Sequence, residues 1–243
     1  MSLNNLLITL SFVFGATFVL FLRRYDIHER EPFHKMAFAT LWGGVWSIAI
    51  STLLYEIIFL AGIDEVKTSF GALFVIGPVE EGAKLAALFS TYFIIRKDLN
   101  EPTDGLIYMS CVALGFSLIE NYFYATETAK SGHLILSRLF ICTPAHILFS
   151  ALMGLAFYAV IKMKASPSLL IFSFLYAAAL HGLYDLIVFN GLFLIILIIM
   201  LIVAYSRLFR SWPIQQLNPH LGSPWLVLLK TMKTQLSNMG VNA

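Results

Sequence analysis

An all-α bundle of about seven membrane-spanning helices is the fold class this sequence predicts, and three observations carry that prediction. Of 243 residues, 59% are hydrophobic and only 12% charged, about half the roughly 25% charged share of soluble proteins. Apolar blocks recur from end to end at about the ~20 residues needed to cross a hydrocarbon core. Lys and Arg fall into alternate connections, the asymmetry that orients helices in a bilayer. Backbone in lipid must satisfy its hydrogen bonds within its own segment, so the blocks are helices.

The spans lie near residues 3–22, 37–60, 70–95, 104–124, 134–161, 167–188 and 190–206. The first is a permanent helix rather than a cleaved leader, because no basic residue precedes it and Arg23 and Arg24 follow. Turn and charge signals separate the rest: "GIDEVKTS", "RKDLNEPTDG", "TETAKSG" and "KMKASPS", with a tight "NG" before the last. Connections after odd-numbered spans and the tail hold Arg23, Arg24, Arg30, Lys35, Arg96, Lys97, Lys162, Lys164, Arg207, Arg210, Lys230 and Lys233; those after even-numbered spans hold only Lys67 and Lys130. The predicted topology therefore has the N-terminus outside and the C-terminus cytoplasmic. Residues 1–206 read as one transmembrane domain and 207–243 as a cytoplasmic tail at the membrane surface. A net charge of +2 without a basic stripe points away from nucleic acid. Cys111 and Cys142 sit inside apolar blocks, where they read as small packing residues rather than a disulfide framework.

Against this background the charges inside the spans stand out. "GPVEEGAKLAAL" carries Glu80, Glu81 and Lys84 within about one helical turn, where each charge costs several kcal/mol. At about 1.5 Å of rise per residue, Glu80 on the third span, Glu120 on the fourth, His146 on the fifth, and His181 and Asp185 on the sixth all reach one middle-to-outer layer. Residues four apart share a helix face, so Glu80 is expected to pair with Lys84, and His181 with Asp185. Asn121 follows Glu120. Gly77, Gly82, Gly115, Gly154 and Gly182 would let helices approach closely around the polar positions. Glu56 and Arg138 lie near outer helix ends and read as interfacial.

Two function classes use such a layer. The first is hydrolysis within the membrane, with a Glu taking a proton from water and a His or Asn holding an oxyanion, or with Glu and His ligating zinc. No HExxH spacing is present, and no serine sits in a GxSxG context. The second is a proton-coupled transporter using the same groups as a relay, although no internal repeat appears.

The ordered set of segments resembles the PrsW family of intramembrane proteases, relatives of the CAAX prenyl proteases and bacteriocin-processing enzymes. "PVEEGAK" resembles the family's EExxK motif, "GFSLIEN" its FxxxEN element, "TPAHILFSALMG" its fifth-helix His segment and "HGLYD" its HxxxD element; "EREPFHK" and "EPTDGLIY" are similar to its charged loop and fourth-helix entry. Where the wider superfamily has FxxxH, this chain has Phe116 to Glu120 and lacks that imidazole. The resemblance implies a multi-pass protease of a prokaryotic cell membrane that cuts a membrane-anchored protein such as an anti-sigma factor. It implies Glu80, Glu81, His146 and His181 as catalytic, with Lys84, Glu120, Asn121 and Asp185 supporting. The favoured expectation is metal-free, with Glu80 as general base. Zinc is the alternative cofactor, with Glu81, Glu120, His146 and His181 as its ligands.

Overall fold

The computed structural model describes residues 3–26, 29–62, 68–127 and 136–189. Its main elements are six helices: α1 (Leu3–Tyr25), α2 (Phe33–Leu60), α3 (Gly77–Ile95), α4 (Pro102–Glu127), α5 (Thr143–Met163) and α6 (Ser168–Phe189). No strand occurs among the described residues. The helices fall on the first six predicted spans; the seventh span and the tail, residues 190–243, lie outside the described residues. Among the described residues, four helical segments are long and apolar enough to cross a membrane: Phe33–Leu60, Pro102–Thr126, Arg138–Met163 and Ser168–Val188. The chain is thus an all-helical, multi-pass membrane protein.

Helix α4 is the centre of the bundle. In its most apolar stretch 78% of residues are buried, against 22% for α2 and 28% for α6. Tyr108, Leu114 and Met109 on α4 pack with Phe157 and Met153 of α5 and Leu88 of α3. The exposed faces of α2 and α6 stay apolar, with Leu41, Val45, Leu53, Ile171 and Leu175 outward, as lipid-facing surfaces require. Within the bundle, glycines let backbones touch. A Cβ on Gly115 would run into the carbonyl oxygen of Thr40, and one on Gly154 into that of Gly105. These contacts pull α2 and α5 against α4. Gly77 meets Ala178 and Gly182 meets Leu73, drawing α6 onto the start of α3. Gly82 differs from expectation, since a Cβ there would meet only the Phe174 ring at 3.6 Å, an ordinary contact.

Two widened, π-helical turns precede the polar segments, Ala72–Ile76 before α3 and Arg138–Cys142 before α5. Each leads into a helix whose second residue is proline, Pro78 and Pro144. A proline ring clashes with the carbonyl four residues back and offers no N–H. Those carbonyls belong to Phe74 and Phe140, both inside the widened turns. One extra residue per turn relieves the clash and rotates the helix beyond it, a distortion common at functional sites.

The α1–α2 connection folds back onto α4. Arg23 Nε donates to the Glu31 carbonyl at 2.9 Å and the Glu31 N–H donates to Asp26 Oδ2 at 3.0 Å. The Tyr108 hydroxyl donates to Glu31 Oε2. Burial, with Asp104 adding to it against the Tyr108 hydrogen bond, pushes the Glu31 carboxyl up to about 9. A carboxyl that holds its proton more tightly when folded stabilises the fold fully below its ordinary value near 4.5, and that contribution is lost as pH rises through the folded value. Thermal unfolding in detergent should therefore show a Tm that falls by several degrees between about pH 5 and 9, and Glu31→Gln should flatten that fall. An equal slope in both proteins would show that Glu31 ionises freely in the fold.

Candidate active site

Helix α3 carries the two glutamates to opposite roles. Glu81 is completely buried and each of its oxygens has a partner. Its Oε1 accepts from Lys84 Nζ at 2.7 Å and from His181 Nδ1 at 2.8 Å; its Oε2 accepts from Ser150 Oγ at 2.6 Å. The predicted Glu80–Lys84 pair is thus replaced by a Glu81–Lys84 pair, three residues apart. The turn directs Lys84 inward, toward α4 and α5. Its Nζ lies 4.4 Å from the Phe116 ring centroid and 2.8 Å from His146 Nδ1.

Glu80 is left with a different environment. Its Oε1 accepts a hydrogen bond from the Tyr55 hydroxyl of α2 at 3.1 Å. Its Oε2 is buried with no hydrogen-bond partner among the described residues and lies 3.6 Å from His181 Nε2. Asp185 Oδ2 approaches the same nitrogen at 3.5 Å, so its predicted closeness to His181 holds. The ring is oriented by Glu81 at Nδ1 as well, with Phe149 stacked on it at 5.6 Å between centroids.

The tautomer of His146 is set by its partner. An ammonium only donates, so the Lys84 bond makes Nδ1 an acceptor and puts the proton on Nε2. That Nε2 lies 3.1 Å from Glu120 Oε2. Arg138, expected at the interface, is mostly buried and pairs with Glu120 Oε2 at 2.6 Å while stacking on the Tyr124 ring at 3.8 Å. It also donates from Nε to Asn121 Oδ1 at 2.9 Å, and Asn121 donates to Thr143 Oγ1 at 3.0 Å. The widened turn at Arg138–Cys142 delivers this guanidinium into the bundle. Glu56, by contrast, is exposed as expected.

These side chains face a cavity of about 650 Å³ lined by α2, α3, α4, α5, α6 and the turns before α3 and α5. Glu80, Glu120, His146, His181, Asp185 and Arg138 all lie on its wall, with Phe116, Phe123 and Ile141 among the apolar lining. Glu81, Lys84 and Asn121 stand behind them. The eight residues singled out from the sequence are thus brought together around one space. Tyr55, Ser150 and Thr143 were not singled out. Ser150 follows His146 by four residues on the same helix face, which is a usable signal; Tyr55 continues a polar face of α2 from Ser47 and Ser51 but has no ionisable partner on that face.

Glu80, His146 and His181 each offer a ligand atom within 4.8 Å of the others, as do Glu120, Cys142 and His146. A catalytic zinc takes three protein ligands with free lone pairs. Glu80 Oε2 and His181 Nε2 qualify, but the Lys84 bond at Nδ1 leaves His146 with its proton on Nε2. Glu81 is outside both groups, its oxygens already engaged. In this arrangement His146 becomes a third ligand only once Nε2 gives up its proton.

The fold and this cluster define a polytopic helical membrane protein with buried acid–base groups at its centre. Residues 31–207 match the family described as "PrsW family intramembrane metalloprotease", and the chain belongs to that family. It is similar to Protease PrsW of Clostridioides difficile (strain 630), 31% identical over 70% of this chain and 73% of that one. Protease PrsW of Geobacillus kaustophilus (strain HTA426) is 30% identical over 70% and 74% of the two chains, and that of Bacillus subtilis (strain 168) 26% over 67% and 73%. No solved structure matches. The chain is therefore an intramembrane protease, and family membership leaves the transporter alternative without support.

Proposed function

We propose that the protein cleaves a membrane-anchored protein substrate, of the anti-sigma-factor kind, with water activated by Glu80 and without a metal ion. The observation that carries this reading is the inequality of the two glutamates: both oxygens of Glu81 are engaged, whereas Glu80, which lines the cavity, keeps an oxygen with no hydrogen-bond partner among the described residues. Water seated against Glu80 Oε2 gives up a proton to it as the water oxygen bonds to the scissile carbonyl carbon. The His146 Nε2–H donates to the oxyanion that forms. When the C–N bond breaks, Glu80 passes its proton to the departing amine, and the carboxylate is restored. His181, fixed by Glu81 at Nδ1, keeps Nε2 beside that proton path. Arg138 pairs with Glu120 Oε2, the acceptor that lies 3.1 Å from His146 Nε2 and that the oxyanion would replace.

The same reading takes the chain as seven spans, residues 1–206, with the N-terminus outside, the cleft in the outer half of a prokaryotic cell membrane, and residues 207–243 as a cytoplasmic tail. It is tested with purified protein and a tethered reporter substrate. Cleavage should persist in strong chelator, and the protein should hold under about 0.2 zinc per chain, well below the one ion per site of a catalytic zinc centre. Stoichiometric zinc, with cleavage lost on chelation and regained on zinc addition, would overturn the metal-free mechanism.

A further inference from the structure

We infer that Tyr55 is a positioning residue for the hydrolysis: its hydroxyl locks Glu80 Oε1 so that Oε2 stays turned toward His181. The inference rests on Glu80 being the base. Ser47, Ser51 and Tyr55 recur every four residues along α2 and share one face. The serines return their hydroxyls to their own helix, Ser47 to the Gly43 carbonyl and Ser51 to that of Ile48. Tyr55, one turn further on, reaches across instead and donates to Glu80 at 3.1 Å. A phenol held in an apolar span without a partner loses its hydration unrewarded, and here the partner is Glu80, whose other oxygen has no hydrogen-bond partner among the described residues.

The geometry makes this contact decide how Glu80 points. A Glu side chain has three rotatable bonds, and the His181 approach at 3.6 Å is too long to fix it. Rotation about the last bond would exchange the two oxygens and turn the unpartnered one away from His181. With Oε1 tied to α2, the unpartnered Oε2 stays on the side of His181 Nε2, 3.6 Å away, on a residue that lines the cavity. The tie also makes α2, the least buried of the four candidate spans, part of the reacting assembly.

Tyr55→Phe removes the hydroxyl and keeps the ring. A hydrogen bond to an ionised group is worth enough that kcat should fall about 10- to 100-fold, with KM within about twofold and an unchanged melting curve. The same substitution made on Glu80→Asp, whose shorter side chain cannot span the gap to Tyr55, should cost less than about threefold more. Wild-type kcat in Tyr55→Phe overturns the inference, as does an equal fold loss in both backgrounds or a loss that follows a lowered Tm. Glu80→Gln is the control: an active Glu80→Gln removes the base itself, whereas an inactive one beside a fully active Tyr55→Phe removes the Tyr55 role alone.

Discussion

Glu80→Gln should lower cleavage of a tethered substrate by about 10²–10⁴-fold, the range ascribed to general acid–base catalysis, while the protein accumulates and melts as the wild type does. The amide keeps the shape and can still accept from Tyr55 at Oε1. It cannot take a proton from water. Its NH2 would stand where Oε2 now has no hydrogen-bond partner and where His181 Nε2 lies 3.6 Å away, so the change adds no unpaired charge. Glu81→Gln is the informative comparison. It replaces an acceptor of three hydrogen bonds, from Lys84, His181 and Ser150, with a group that accepts at one atom only. That variant should lose activity and stability together, whereas Glu80→Gln should lose activity alone. Reporter cleavage and thermal unfolding, run on both proteins, separate the roles; wild-type-like cleavage by Glu80→Gln would remove it as the base.

The helices were legible because lipid leaves the backbone no other choice and the charges marked the loops. The site was legible as a layer: Glu80, Glu120, His146 and His181 converge because four helices carry ionisable groups to one depth. Its wiring was not. An i, i+4 rule pairs Lys84 with Glu80, yet the side chain turns to Glu81 and His146 because those lie on the interior side of α3, facing α4 and α5. Arg138 reads as interfacial from its depth alone. The widened turn ahead of Pro144 sends it inward, and a distortion of that kind is set by the proline clash in three dimensions. Tyr55 was illegible for another reason. It sits among apolar residues of α2, and only the packing of α2 against α3 shows which of its faces meets Glu80.

Lys84 is where stability and catalysis are joined, and Lys84→Met should cost about 3–5 kcal/mol, the usual penalty for removing one partner of a buried ion pair. The side chain is fully buried and bonded to Glu81 at 2.7 Å and His146 at 2.8 Å. Met fills much of the same volume but strands the Glu81 charge and leaves His146 Nδ1 without its donor. For a chain of this length the loss corresponds to a Tm lower by roughly 10 °C. The identity of the partner can be read from the double variants. Lys84→Met with Glu81→Gln removes both charges of the pair and should regain most of the lost stability, since ion pairs replaced as a unit are often neutral. Lys84→Met with Glu80→Gln leaves Glu81 stranded and should regain almost none. Recovery by Glu80→Gln in place of Glu81→Gln would reassign the ion pair, and with it the open carboxylate, to the other glutamate. Neither double variant should cleave: one has lost the base, and the other the carboxylate that holds the His181 ring in register with it.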